Sequence, residues 1–332
     1  MKTFCKTALC AVGMGCAFAA LAQASAAPAQ AQWKLATGYR AESFHTRNLV
    51  QFAQEVEAAS SGVLRIEVFA NNTLAKLADI PAAVQSGKAQ AGETIMTSLV
   101  ADMPIAGADA VPFVVHSYAD ARRMWSLQRP LIEGHFARKG LIALYAVPWP
   151  PQGLFSIAPV KSAADFKGTR MRTYNPGTVR IAELLGATPV DVPMVEVNKA
   201  LGAGQLDSMI ASALTGVENQ VWGQIRQYYG IDAWFPKNIV FVNQQAFDAL
   251  PTATRQAVIK AAAEAETRGW AMSEAVAQES VAELQRKGIK VDRPTAELNA
   301  ELKRLGERFS REWLRSVGGE ANQLFIPYYT QR

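Results

Sequence analysis

The stretch from Trp33 to Phe69 alternates between two hydrophobic periods, and this alternation is the strongest constraint on the fold. Trp33–Thr37 is short and largely apolar, which predicts a strand. The next apolar residues recur at the spacing of one helix face, at Leu49, Phe52, Ala53 and Val56. In Val63–Phe69 apolar and charged residues alternate, which predicts a second strand. Two strands joined through a helix of this length pair in parallel, so the chain is expected to build an α/β domain.

The alternation continues along the chain and falls into two sets of units. Before Pro148 it predicts a helix at Ile80–Ser86, a strand at Ala89–Met96, helices at Ser117–Leu127 and Leu131–Arg138, and a strand at Leu141–Tyr145. After Pro151 it predicts strands at Thr169–Tyr174, Leu206–Ile210 and Ile239–Val242, and helices at Thr178–Leu185, Glu196–Ala203 and Trp222–Tyr229. The 332 residues are enough for two domains.

Alanine is dense and proline is absent between Thr252 and Lys287, which predicts one long helix or two collinear ones. A last amphipathic helix is predicted at Leu298–Val317. We therefore expect two α/β domains that face each other across a cleft, with the long helix bracing both. The first domain would comprise residues 33–149 and about 239–277, and the second about 150–238 and 278–332.

The N-terminal segment is typical of a secretory signal peptide. Lys2 and Lys6 precede an apolar run, Ala8–Leu21, and small residues frame two cleavage signatures. We expect residues 1–26 to be removed, with cleavage as late as residue 31 as the alternative. The three cysteines of the chain, at positions 5, 10 and 16, lie in this segment, so the mature protein would have no disulfide and would be exported from the cytoplasm.

Local signatures of catalysis and cofactor binding are missing from the sequence. His45, His116 and His135 are too scattered for a histidine metal site, and no G-x-S-x-G elbow is present. The formal net charge of +5 is thin for a nucleic-acid-binding protein of this length. We expect no metal, no cofactor and no nucleic-acid partner. The sequence favours a binding protein over an enzyme, and the remaining alternative is a secreted enzyme that acts on small carboxylates.

An unusual pair of arginines lies on the strand predicted at Thr169–Tyr174. Side chains alternate along a strand, so Arg170 and Arg172 share one face while Met171 is buried on the other. The carboxyl end of such a strand is where open α/β sheets bind ligands, and a guanidinium can bind a carboxylate through two hydrogen bonds. The alternative is that both arginines are solvated at the edge of a sheet.

The segment from Asp165 to Met209 resembles the signature region of solute-binding proteins of tripartite ATP-independent periplasmic (TRAP) transporters. The matching elements are Asp165, Lys167, Gly168, Arg170 and Arg172; Gly186-Ala187 and Pro189-Val190; then Glu196-Val197, Ala200-Leu201, Gly204 and Asp207. The resemblance implies a periplasmic two-domain protein that closes around a small organic anion and delivers it to the TRAP membrane permease subunits. It also implies that Arg172 pairs with the ligand carboxylate, whereas Arg170 is not a ligand. We expect a monomer.

Two departures from this resemblance bear on the ligand. Many relatives carry a second arginine in the stretch that here runs from Trp149 to Leu154, where Gln152 lies nearest. A common asparagine is replaced by Ala211, with Ser212 beside it. A second ligand carboxylate would then lack a cation, so we expect a monocarboxylate with a modestly polar or apolar, even aromatic, body. A dicarboxylate or sugar acid is the alternative, with Lys76, Arg40 or Arg180 as the second cation.

Further contacts to the ligand are expected from residues in distant segments. Tyr39 is a candidate for the cleft, and Glu93 would either accept from a ligand hydroxyl or form an interdomain salt bridge. The aromatic and apolar candidates for the cleft walls, each with ordinary core packing as the alternative, are Trp149, Phe113 and Met194. The predicted ligand-binding set is Arg172, Gln152, Trp149, Met194, Ser212, Tyr39, Glu93 and Phe113.

Overall fold

A computed structural model describes Met1 and residues 30–330, so the predicted signal peptide lies, apart from Met1, outside the described residues. The described chain forms two β-sheets flanked by helices. The strands are β1 (Ala31–Ala36), β2 (Leu64–Phe69), β3 (Ala91–Ile95), β4 (Leu141–Pro148), β5 (Gln152–Ser156), β6 (Arg170–Thr173), β7 (Thr188–Asp191), β8 (Ser208–Ser212), β9 (Gln227–Tyr229), β10 (Lys237–Asn243) and β11 (Lys290–Asp292). The helices are α1 (Phe44–Ala59), α2 (Ile80–Gln85), α3 (Tyr118–Arg138), α4 (Pro176–Leu184), α5 (Val197–Gly202), α6 (Ala213–Glu218), α7 (Gln244–Asp248), α8 (Thr252–Arg286), α9 (Ala296–Val317) and α10 (Gly319–Thr330).

The first sheet has the strand order β2-β1-β3-β10-β4. β1 pairs in parallel with β2 and β3, and the register sets Trp33 beside Ile66. The connecting helix α1 buries Leu49, Phe52 and Val56 against this sheet, so the predicted strand–helix–strand unit is confirmed. β10 comes from much later in the chain and lies antiparallel between β3 and β4.

The second sheet has the strand order β11-β9-β5-β8-β6-β7. β6 lies inside this sheet, in parallel between β8 and β7, and β5 runs antiparallel to both β8 and β9. The arginine-bearing strand β6 is therefore not an edge strand. An interior strand has its backbone groups paired on both sides, which fixes the direction of its side chains.

The long helix α8 braces the two sheets, as the sequence predicts. It contacts α1 and β4 on the side of the first sheet and α6 and β11 on the side of the second. Trp270 donates its indole N–H to the carbonyl of Ala146 at 3.0 Å. Beside it, a Cβ atom at Gly269 would collide with the side chains of Val147 and Asn48. Glycine therefore allows the helix backbone to lie directly on β4.

Three of the predicted helices differ in the structure. The helices expected at Ser117–Leu127 and Leu131–Arg138 form one helix, α3, which continues through Pro130. An internal proline costs about 3 kcal/mol, but apolar side chains on both sides of it, Trp125 and Ile132 among them, are buried in the core and offset this cost.

The prediction of a helix at Trp222–Tyr229 is wrong. Residues Val221–Gly223 form a short 3₁₀ turn and Gln227–Tyr229 form β9. Its two tyrosines pair with β5, which the sequence analysis also missed because a proline-rich stretch precedes it. This conformation depends on pairing with a strand some seventy residues away in sequence. Local hydrophobic periodicity cannot predict such pairing.

Two connecting segments, residues 149–152 and 233–237, run side by side where the chain passes between the sheets. Trp149 donates its backbone N–H to Pro236 at 2.7 Å, and Gln152 donates to Trp234 at 3.0 Å. At the start of β10 the fully buried Lys237 places its Nζ atom 3.0 Å from the Oδ2 atom of the equally buried Asp109. Burial raises the pKa of Asp109 and lowers the pKa of Lys237, because both charges lose their hydration.

The two C-terminal helices pack on different domains. α9 buries Leu298, Leu302 and Phe309 in the core of the second sheet, whereas α10 packs on α3 beside the first. The division of the chain at residues 149, 238 and 277 remains a prediction, and α10 contacts the first domain although that division assigns it to the second. Within the described residues, no helix is long and apolar enough to cross a membrane.

Candidate functional site

A cavity of about 560 Å³ lies between the two sheets and is lined by residues of both. Its volume falls in the range of about 300–1,000 Å³ that small-molecule sites occupy. The structure brings together five of the predicted ligand-binding residues in its lining: Tyr39, Trp149, Gln152, Arg172 and Met194. The other three, Glu93, Phe113 and Ser212, are not among the lining residues.

Arg172 reaches the cavity from the interior strand β6 and is only 4% exposed. Its Nε atom donates to the carbonyl of Val192 at 3.0 Å, and its guanidinium lies 4.8 Å from the ring centre of Tyr174. Among residues 30–330, no carboxylate oxygen lies within 4.0 Å of this guanidinium. Burial lowers the pKa of Arg172 to about 10, against the opposing effects of Tyr174 and Asp191. Burying a cation without a carboxylate partner costs several kcal/mol because the cation loses its hydration, and an anionic ligand would offset this cost.

Arg170 has a different environment although it lies two residues away on the same strand. Its side chain is about half exposed and forms an ion pair with Asp207, with 2.7 Å between Nη2 and Oδ1. It also donates to the carbonyl of Gly204. The alternative in which both arginines are solvated is thus wrong for Arg172, and Arg170 ties β6 to the loop before β8.

Gln152 is the first residue of β5 and is 4% exposed. Its Nε2 atom donates to the carbonyl of Pro150 at 2.9 Å. Its backbone is held on both sides, because its N–H donates to Trp234 and its carbonyl accepts from Ala233 at 2.9 Å. The backbone of Gln152 and the Nε2 atom of its side chain are therefore both held in place beside the cavity.

The aromatic wall of the cavity rests on Asn238 of β10. Trp149 donates its indole N–H to the Oδ1 atom of Asn238 at 2.9 Å, and the Tyr39 hydroxyl donates to the same atom at 3.2 Å. Asn238 in turn donates to Glu93 at 3.0 Å. Burial, followed by the charge of Glu93, raises the pKa of Tyr39 well above its usual value, so the hydroxyl keeps its proton.

The three predicted residues outside the lining have structural contacts. Glu93 accepts a hydrogen bond from Thr37 at 2.6 Å and lies 3.3 Å from the Nδ1 atom of His45, so these contacts are within the first domain and not between the domains. Ser212 caps α6 by accepting from the backbone N–H of Thr215 at 3.2 Å. Phe113 packs closely against Gly306 of α9.

The sequence analysis missed several residues that line the cavity. Some of them come from loops and strand ends, Thr215 lies in α6, and Glu196 was noted only as part of the signature segment. The polar ones are Asn72, Ser98, Tyr174, Asp191, Glu196 and Thr215. Of the three cations left open as partners for a second ligand charge, Lys76 lines the cavity. Arg40 instead bonds across the domains, and Arg180 pairs with Glu312 outside the cavity, with 2.8 Å between its Nε and a carboxylate oxygen.

Two α/β domains that enclose a cavity, with a buried and unpaired cation in its wall, define a cleft-type receptor for a small anion. The chain belongs to the DctP family, bacterial extracellular solute-binding protein family 7, whose model matches residues 36–315. Its members are the solute receptors of TRAP transporters, as the signature segment around Arg172 predicts.

Two solved structures and one curated relative are similar to this chain over most of its length. DctP6 of Bordetella pertussis, an extracytoplasmic solute receptor binding pyroglutamic acid, is 38% identical, with a TM-score of 0.88, and the match covers 90% of this chain and 99% of that one. A marine metagenome TRAP solute-binding protein specific for pyroglutamate is 33% identical, with a TM-score of 0.88 and coverage of 91% and 99%. A solute-binding protein of Roseobacter denitrificans is 28% identical over 269 residues, which cover 76% of this chain and 79% of that protein.

Proposed function

We propose that this protein captures a small monocarboxylate for a TRAP transporter and that pyroglutamate, or a close analogue, is its ligand. The observation that carries the proposal is the buried guanidinium of Arg172, which lacks a carboxylate partner among the described residues. A ligand carboxylate supplies that partner and forms a two-pronged contact with the fork of the guanidinium. The similarity to two receptors that bind pyroglutamate supports the same ligand class.

The lining of the cavity favours a compact ligand with one charge. Arg172 is the buried cation of the lining, whereas Lys76 is exposed to solvent. Trp149 and Tyr39 offer apolar ring surface. Each square ångström of apolar surface that the ligand and these rings remove from water contributes roughly 25 cal/mol to the binding free energy. A lactam ring with one carboxylate matches this division between a charged end and an apolar wall.

A thermal-shift series tests the ligand class. We expect pyroglutamate to raise the unfolding temperature clearly, because a ligand at one hundred times its Kd contributes about 2.7 kcal/mol to stability. Succinate, malate, benzoate, 4-hydroxybenzoate and a short 2-oxo acid complete the series. A strong response to succinate or malate without one to the monocarboxylates would overturn the proposal. Recovery of the bound ligand unchanged after long incubation would distinguish a receptor from an enzyme.

The proposal extends to the cellular setting of the protein. We infer export by the N-terminal segment, residence in the periplasm as a monomer, and transfer of the ligand to the TRAP permease subunits. The family match to extracellular solute-binding proteins supports this setting. Mass spectrometry of the exported protein should give an N-terminus near Ala27 or Gln32.

Arg40 offers a test of domain closure that does not involve a ligand contact. It lies in the loop after β1, yet it donates to the carbonyl of Glu218 at 2.6 Å and to Val195 and Asn219 at 3.3 Å. All three acceptors belong to the second domain. These bonds join the two domains beside the cavity, so an arrangement in which the domains move apart would lose them.

We expect Arg40→Ala to weaken the binding of every ligand by the same factor, about 5- to 30-fold. The factor corresponds to the loss of hydrogen bonds worth about 1–2 kcal/mol, which shifts the equilibrium between open and closed forms. Calorimetry with two chemically different ligands measures it. Arg65→Ala, at an exposed position on β2, is the matched control and should leave both affinities unchanged. Unequal factors for the two ligands would contradict the closure role.

A further inference from the structure

The orientation of the Gln152 amide is dictated by its neighbour. The two ends of a glutamine amide differ only in their hydrogen-bonding role, so their assignment depends on the partners. Here the partner is the carbonyl of Pro150, 2.9 Å away, which can only accept. The NH2 group must therefore face Pro150, and the Oε1 atom occupies the other end of the amide.

The Oε1 atom of Gln152 is an acceptor that the protein leaves open to the cavity. The residue lines the cavity and is otherwise buried. Among residues 30–330, no donor lies within hydrogen-bond distance of this oxygen. Water in the cavity can reach this oxygen, and a ligand that displaces that water leaves the acceptor unpaired unless it brings an N–H or O–H group of its own.

Gln152 and Arg172 divide the recognition of the ligand between them. Both lie on the second sheet, on β5 and β6, which are separated by the single strand β8. Neighbouring strands are about 4.8 Å apart, so the two strands are roughly 10 Å apart across the sheet. The register sets Arg172 beside Met209 and Gln152 beside Ser212, three residues further along β8, so the two side chains reach the cavity from different points at the end of the sheet. Arg172 offers only donors, which suit a carboxylate, and Gln152 offers an acceptor, which suits a donor elsewhere on the same small molecule.

We propose that the Oε1 atom of Gln152 accepts a hydrogen bond from a ring N–H of the ligand and thereby selects lactam carboxylates over their oxygen isosteres. The inference rests on the proposed function, since it assigns the atom that distinguishes pyroglutamate from molecules of the same shape. A lactone analogue, 5-oxotetrahydrofuran-2-carboxylate, keeps the ring, the carbonyl and the carboxylate of pyroglutamate and replaces only the N–H by oxygen. Its ring oxygen would meet the Gln152 oxygen with no proton between them.

Calorimetric titration of the unchanged protein and of variants with both ligands tests the inference. We expect the unchanged protein to bind the lactone at least about 10-fold more weakly than pyroglutamate, because the acceptor is left unpaired. In Gln152→Leu the acceptor is gone, so the two affinities should come within about threefold of each other. The ratio of the two affinities within one variant does not depend on the fraction of that variant that is correctly folded.

A matched control lies on the same strand. Ser156, at the other end of β5, is buried outside the cavity lining, and Ser156→Ala should keep the preference for pyroglutamate. Equal binding of lactam and lactone by the unchanged protein would overturn the role of Gln152 alone, and so would a preference that persists in Gln152→Leu. Failure of the unchanged protein to bind either molecule would overturn the proposed ligand, and the inference with it.

Discussion

Replacement of Arg172 by alanine is expected to cost about 2–5 kcal/mol of binding free energy for the carboxylate ligand, because the ligand's buried charge loses its partner. The same substitution removes a cation that the described protein leaves without a carboxylate. The ligand-free variant should therefore be at least as stable as the unchanged protein, although it binds far more weakly. Calorimetry measures the first effect, and thermal unfolding without ligand measures the second.

Two neighbouring substitutions separate charge from geometry at this position. Arg172→Lys keeps the charge but not the planar fork, so binding should still fall. Arg170→Ala removes the arginine that pairs with Asp207 and should have a much smaller effect. An affinity of Arg172→Ala within twofold of the unchanged protein would refute the assignment of Arg172 as the carboxylate anchor.

The second large effect is expected at the start of β10, where the chain passes between the sheets and Lys237→Met should destabilise the protein by about 3–5 kcal/mol. Lys237 and Asp109 are both fully buried, and the substitution leaves the carboxyl of Asp109 without its cation. Burial already raises the pKa of this carboxyl, so in the variant it should take up a proton on folding. Stability should then fall as the pH rises above the normal carboxyl pKa, because the unfolded state releases that proton. Denaturant unfolding at several pH values measures both effects.

The double variant Asp109→Asn with Lys237→Met is the control for this prediction. It removes both charges but keeps an oxygen at residue 109 that can accept from the backbone N–H of residue 237, as Asp109 does at 2.8 Å. Most of the lost stability should return, since replacing both partners of a buried pair is far less costly than removing one. If the double variant is no more stable than Lys237→Met, the loss comes from packing and not from the unpaired charge.

The strands and helices that alternate early in the chain were predictable because each has a buried face with its own period. The prediction of β1, α1 and β2 depends on such faces. β5 and β9 were not predictable, because each is short and its conformation depends on pairing with the other. The sequence analysis divided α3 into two helices because proline normally ends or kinks a helix. The core packing on both sides of Pro130, which keeps the helix continuous, depends on tertiary contacts that the local sequence does not show.

A motif predicts the central residue of the site, whereas Tyr39, Trp149 and Met194, which also line the cavity, were expected there without one. Arg172 lies in a signature segment, so its role follows from the resemblance, and its lack of a partner becomes visible in the fold. Glu93 was considered as a direct contact, yet it holds Asn238, which in turn holds Trp149 and Tyr39. The sequence contains no sign of this chain of hydrogen bonds, because its members come from four distant segments.

The place of β10 in the first sheet has a consequence for how the protein is made. β4 joins that sheet only through β10, so a nascent chain that ends at Pro148 has a three-stranded sheet and a detached strand. The missing strand emerges only after the entire second sheet except β11 has been synthesised. Until then β3 exposes an unpaired edge of the kind that promotes aggregation. Neither domain can therefore complete its fold independently of the other. Contacts between residues far apart in sequence should make folding slow, and the first sheet can form completely only once the C-terminal third of the chain is available.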